Sequence, residues 1–135
     1  MARGQGQARQ EIVLPAEPTA VRQARAWLAE TTSELLDAAR RIDVELVLSE
    51  VVANAVRHGG PGRAISVATT RGGGLLRVDV TDDGPGLAPR PNAMASDRYG
   101  GFGLFIVEQL TRRWGVTREN RRTRVWFELD YVQTL

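Results

Sequence analysis

Three groups of residues in this chain have types and spacings that suit chemistry. Glu50 and Asn54 stand four apart, Asp82-Asp83-Gly84-Pro85-Gly86 follows an apolar run, and Gly101-Phe102-Gly103-Leu104 opens another. Four-residue spacing places a carboxylate and an amide on one face of a helix, one turn apart. Among Val47, Val51 and Ala55, such groups are costly to bury unless something uses them. An aspartate at a strand end can accept a hydrogen bond from an exocyclic amine such as that of adenine, and glycines around a proline let a flat ligand approach the backbone. Glycines ahead of a helix leave its first amides and the positive end of its dipole open to an anion. Each group also has an ordinary structural explanation: a solvated helix, a tight turn, a helix packed closely on a sheet.

The elements that must position these residues can be read from periodicity and punctuation. Residues 1–10 are rich in Gly, Gln and Arg and read as a flexible tail. Glu11 to Pro15 reads as a short strand, Pro18 to Leu36 as a first helix, and Asp43 to His58 as a second, stopped by Gly59-Gly60-Pro61-Gly62. Ala64 to Arg71 and Leu75 to Thr81 are β-rich runs joined by Gly72-Gly73-Gly74, a hairpin signal. Leu87 to Tyr99 has no clear period and reads as a loop. Phe102 to Arg113 returns to helical spacing, and Gly115 to Glu119 with Thr123 to Tyr131 reads as a closing hairpin. The order predicts an α+β two-layer sandwich, a mixed and mainly antiparallel sheet with helices on one face.

Composition narrows the function classes. At 135 residues the chain suits one domain, spanning residues 11–131 with a tail at 132–135. All 18 basic side chains are arginine, so the phosphate loop that needs a lysine after its glycines is excluded. Without cysteine there are no disulfides, thiolate metal sites or cysteine nucleophiles. No apolar run is long enough for a membrane helix and the N-terminus lacks a secretion signal, so a cytoplasmic protein with no membrane contact is expected. The pI of about 9.9 overstates the positive field, because the net charge is only +2. With neither lysine nor cysteine, almost nothing titrates between the histidine and the tyrosines. Arg112, Arg113, Arg118, Arg121, Arg122 and Arg124 form a basic cluster that suits a solvated hairpin or, less well, an acidic partner or nucleic acid.

Taken together, Glu50 and Asn54 on a helix, Asp82-x-Gly84-x-Gly86 after a strand, Gly101-x-Gly103-Leu104 opening a helix and Thr123 in a late strand resemble the GHKL ATPase superfamily and its Bergerat nucleotide-binding fold. The resemblance covers about residues 11–131. It implies ATP as ligand, with Asp82 on the adenine amino group and Gly84 and Gly86 forming the turn beneath the base. It places Thr123 on adenine through water, and Gly101, Gly103 and Leu104 at the phosphates. It makes Asn54 the ligand of a magnesium ion that bridges the phosphates, and Glu50 the general base wherever phosphoryl transfer or hydrolysis occurs. Arg122 stands where a glycine often precedes the threonine. His58, on the face of Glu50 and Asn54, and Arg98, near the end of the lid-like loop, are further candidates for phosphate contact. For His58 the simpler reading is a cation at a helix C-terminus, stabilised by the dipole.

Within the superfamily, Asn54-Ala55-Val56-Arg57-His58-Gly59 is similar to the corresponding segment of anti-sigma-factor serine kinases. His58 is the only histidine, which leaves none for the phosphoacceptor of a complete histidine kinase, and the length leaves little room for the further domains of topoisomerase, mismatch-repair or chaperone members. The resemblance implies a sigma factor as one partner, a serine on an anti-anti-sigma protein as phosphoacceptor, and a homodimer. The competing expectation is a non-catalytic ATP-binding module that sequesters a protein partner. A nucleic-acid binder is the third, and it predicts salt-dependent binding indifferent to Asp82→Asn.

Overall fold

The computed structural model describes residues 8–59, 62–82 and 101–131. Strand β1 (Ala8–Pro15) leads into helix α1 (Thr19–Thr31) and the long helix α2 (Ala38–Gly59). The hairpin of β2 (Ala64–Gly72) and β3 (Leu75–Asp82) follows, then α3 (Gly101–Leu110) and the hairpin of β4 (Arg113–Glu119) and β5 (Arg122–Asp130). The five strands form one sheet in the order β1-β2-β3-β5-β4. Every pairing is antiparallel, so the described sheet contains none of the parallel pairs that a mixed sheet would have. The reason lies in the connections. With two helices between β1 and β2 the chain reverses into α1, into α2 and into β2, an odd number that leaves the two strands antiparallel, and β5 returns through its hairpin into the gap between β3 and β4, which would otherwise be parallel neighbours.

Alternation along β3 decides which face is buried. Leu76, Val78, Val80 and Asp82 point to the helices, while Arg77, Asp79 and Thr81 point away. Ile65 and Val67 of β2, Phe127 and Leu129 of β5 and Leu14 of β1 complete the inward surface. Against it pack Ala20, Ala24 and Leu28 of α1, Val44, Val47, Leu48, Val51 and Val52 of α2, and Val107 of α3. Ala20 and Ala24 are fully buried, so on that side the backbone of α1 lies close to its neighbours. Each fully buried Leu, Ile or Phe here contributes on the order of 1.5–3 kcal/mol.

The bare face of the sheet is held by charge. Glu128 is buried between Arg113 at 2.7 Å and Arg77 at 3.5 Å, and Arg77 reaches Asp79 at 3.1 Å while its guanidinium lies 4.4 Å from the centre of the Trp126 ring. The Trp126 indole lies against Gly115, where a Cβ would stand 2.8 Å from three of its atoms.

Element boundaries differ from the sequence reading at α3, which ends at Leu110 rather than Arg113, where β4 already begins, and more informatively at the first three elements. β1 begins at Ala8 rather than Glu11, because Ala8, Arg9 and Gln10 pair through their backbones with Arg71, Thr70 and Thr69, a ladder that needs no apolar side chains. The expected tail is thus reduced by these residues. α1 stops at Thr31 rather than Leu36. The Thr32 hydroxyl donates to the Leu28 carbonyl at 2.7 Å, and its φ of −111° has left the helix. α2 starts at Ala38 rather than Asp43, because the Asp37 carboxylate accepts the Arg40 amide at 2.8 Å and caps the helix. No helix among the described residues is long and apolar enough to cross a membrane.

Candidate functional site

Asp82 is the last residue of β3 and, by alternation, faces the helices. It is 4% exposed. In register it stands opposite Ile65 of β2 and Thr123 of β5, and Thr123 stands opposite Arg118 of β4. Directly paired residues share a face with Cβ atoms about 4.5–5.5 Å apart. One row therefore crosses the end of the sheet as Ile65, Asp82, Thr123 and Arg118. Within it the Thr123 hydroxyl oxygen accepts a hydrogen bond from Arg118 Nη1 at 2.9 Å.

The C-terminal end of α2 meets this row. Glu50, Asn54 and His58 recur every fourth residue, and all three are half-buried beside the fully packed Val47 and Val51 stripe. Arg57 donates through Nη2 to the Asn54 carboxamide oxygen, the atom that the sequence reading gave to a metal. His58 lies close enough to Asp82 for that carboxylate to raise its pKa, but burial, followed by the neighbouring Arg57 charge, lowers it further from 6.5. The imidazole is therefore held toward its neutral form. This runs against the expectation of a helix-terminal cation: burial and the neighbouring Arg57 charge together outweigh the attraction of the Asp82 carboxylate.

α3 does open at Gly101, with Gly103 and Leu104 in its first turn, so the glycines sit where a helix N-terminus begins. Gly84, Gly86 and Arg98 lie outside the described residues, as do the rest of the glycine turn after Asp82 and the loop at 87–99. Of the expected site residues, the structure thus brings Asp82 and Thr123 into direct pairing and sets Asn54 and His58 on the helix end that approaches them.

This geometry gains an identity from comparison with known proteins. The sequence pattern of the histidine kinase-like ATPase domain matches residues 14–129. The chain belongs to that family. Histidine kinase-like ATPase domains are GHKL proteins, and membership implies ATP as ligand. Among solved structures, the chain is similar to one of the RsbU and RsbW domains of a Mycobacterium tuberculosis protein, with 26% identity and a TM-score of 0.71 over 91% of this chain. It spans only 32% of that longer protein. It also shares the fold of the catalytic domain of histidine kinase ThkA, at 16% identity and a TM-score of 0.62 over 92% of this chain and 96% of the other. Acinetobacter baumannii histidine kinase AdeS matches at 16% identity and a TM-score of 0.54 over 92% of this chain and 68% of that one. No curated protein matches the chain in sequence.

Two residues of the site were missed by sequence reasoning. Arg57 stands three residues after Asn54, a spacing that lets helical side chains meet, and it was read only as part of a motif. Arg118 was counted in the basic cluster, although Asn120 in a two-residue turn would have fixed the β4–β5 register and set it opposite Thr123. The cluster itself is not a uniform patch. Arg112 pairs with Asp130 at 2.8 Å, Arg113 with Glu128, and Arg118 bonds Thr123.

Proposed function

We propose that this chain is an ATP-dependent serine/threonine-protein kinase of the anti-sigma-factor type, acting on an anti-anti-sigma protein and binding a sigma factor in alternation. The observation that supports it most is the direct pairing of buried Asp82 with Thr123 at the sheet end where α2 delivers Asn54 and His58. A buried carboxylate beside a hydroxyl, on a surface otherwise built of Val, Ile and Leu, suits a flat apolar base with one polar edge. The likeness to the structure with an RsbW domain supports the choice of kinase class.

Asp82 accepts from the adenine amino group, and Thr123 contributes the second polar contact. The first turn of α3 faces the phosphates with its unpaired amides. Among the described residues no cluster of His, Asp or Glu could hold a metal by itself. The donor here is the single carboxamide oxygen of Asn54, which fits a magnesium ion that takes its remaining ligands from phosphates and water. When bound, that ion supplies charge neutralisation of the phosphates. The bond from Arg57 uses one of the two lone pairs of the Asn54 oxygen, so it helps to position the carboxamide while the other stays available for ligation. Glu50, one turn before Asn54, takes the proton of the acceptor serine hydroxyl as its oxygen bonds the γ-phosphorus and the bond to ADP breaks.

Incubation with γ-labelled ATP, magnesium and candidate anti-anti-sigma proteins tests this reading. A labelled serine that is lost in Glu50→Ala supports the kinase, while tight partner binding without label favours the sequestering module. Stabilisation of the native chain by Mg-ATP, lost in Asp82→Asn, tests the nucleotide site separately.

A further inference from the structure

We propose that the solvent-facing crest of α2 before Glu50, with the adjoining crest of α3, is the docking surface for the protein that carries the phosphoacceptor serine, and that this protein docks by a face apolar at its centre and basic at its rim. The inference rests on the kinase reading above and names a surface for its substrate. Four large apolar side chains are exposed among the described residues, and all but Val13 stand on these two helices: Ile42 at 66%, Leu46 at 41% and Phe105 at 60%. Ile42 and Leu46 are one turn apart, and the same four-residue step continues to Glu50 and Asn54. Because 3.6 residues complete a turn, each such step advances about 40° around the helix. The strip therefore winds without interruption from two exposed apolar residues to the half-buried Glu50 and Asn54.

Phe105 widens the patch. Arg40, near the start of α2, bonds the Asp130 carbonyl at 2.7 Å, and Arg112, just past the end of α3, pairs with the Asp130 carboxylate at 2.8 Å. The two helices pack on each other and therefore run antiparallel. Phe105 lies about 10 Å back from Arg112 and Leu46 about 9 Å on from Arg40, so the two are level. Charge indicates what covers them. Glu45 flanks the Ile42–Leu46 pair on one side and Asp43 on the other, Glu108 lies on α3, and none of the three has an ion-pair partner among the described residues. A basic rim complements these carboxylates, whereas a second copy of the same surface would set like charges together. Distance indicates which partner. A standard interface covers about 800 Å² on each side, a disc of about 16 Å radius. A serine brought to Glu50 thus lays its own protein over Leu46, about 6 Å back along α2, and Ile42, about 12 Å back.

The test is steady-state phosphorylation of the anti-anti-sigma protein that the native chain labels, with each substrate varied in turn. Ile42→Ala and Leu46→Ala each raise KM for that protein by about three- to tenfold and leave kcat, KM for ATP and Tm unchanged. Asp43→Asn combined with Glu45→Gln also raises it and flattens its dependence on salt. Val13→Ala, exposed on the opposite face of the sheet, changes nothing. An unchanged KM for the acceptor in the Ile42→Ala, Leu46→Ala double variant, or a rise matched by KM for ATP, overturns the inference and leaves the kinase reading standing. Weaker sigma-factor binding, or a smaller sedimenting species, with KM for the acceptor unchanged, gives the patch to another occupant and also overturns it. If the native chain labels no anti-anti-sigma protein, the kinase reading falls and this inference with it.

Discussion

Arg121→Gly is expected to stabilise this protein, and the reason can be worked from the turn that joins β4 to β5. Glu119 ends one strand and Arg122 begins the next, so Asn120 and Arg121 alone make the connection. Their φ angles are 53° and 66°, the left-handed pair of a type I′ turn. The hairpin between β2 and β3 uses the same solution with Gly73 and Gly74, at φ 63° and 82°. Asparagine tolerates this conformation. Arginine pays a steric cost of about 1–2 kcal/mol, because its Cβ crowds the following carbonyl. Glycine removes that strain but adds freedom to the unfolded chain, a loss of about 0.5–1 kcal/mol. The difference leaves a net gain of about 0.5–1 kcal/mol, which for a chain of this size raises Tm by about 2–4 °C. Thermal melts by circular dichroism, with urea midpoints at constant slope, measure it. Arg121→Ala is the control, since it removes the charge and keeps the strain. A lower or unchanged Tm in Arg121→Gly, or an equal gain in Arg121→Ala, refutes the argument from backbone strain.

Three further outcomes follow from the packing and the titrating groups. Gly115→Ala puts a Cβ 2.8 Å from Cε2, Cζ2 and Nε1 of Trp126, and the ring or the β4 backbone must shift; the expected loss is about 1–2 kcal/mol, read as a lower urea midpoint and altered tryptophan fluorescence. Asp37→Ala removes the cap on the Arg40 amide and lowers stability by about 1 kcal/mol, whereas Asp37→Asn, which keeps an acceptor, loses less. His58 has a folded pKa below 6.5, so the unfolded chain takes up the proton first: stability is unaffected above about pH 7 and falls as pH drops through 6.5 toward the folded value. His58→Gln flattens that part of a Tm-against-pH curve. The lowered pKa of Glu11, held down first by the Ser66 hydroxyl, acts only below 4.5 and leaves the His58 window clear.

The order of elements and the facing of β3 and β5 were legible because alternation is a property of the local sequence. Asp82 could be placed on the helix face from Leu76, Val78 and Val80 alone, and Thr123 from Val125, Phe127 and Leu129. Glu50 and Asn54 needed only the helical period. What local sequence could not convey was set by distant partners. The start of α2 at Ala38 shows no apolar period, and Arg40 there is tied to the Asp130 carbonyl at 2.7 Å, from the far end of the chain. The first residues of β1 pair through backbone alone. The neutral tendency of His58 depends on burial that its neighbours in sequence do not announce, and the bond from Arg118 to Thr123 exists only once register is known.

The insertion of β5 between β3 and β4 also has a kinetic consequence. The hairpins β2–β3 and β4–β5 close through two-residue turns and can form early, but β3 meets β5 only after everything from residue 83 to 121 has been threaded past. Contacts of such long sequence separation form slowly. Asp82 and Thr123 sit on opposite sides of that seam, so a base held as proposed would contact both only in chains whose two halves have already joined. Appearance of nucleotide binding during refolding should therefore lag the packing of Trp126 on Gly115 within its own hairpin, and the lag times the closure of the seam.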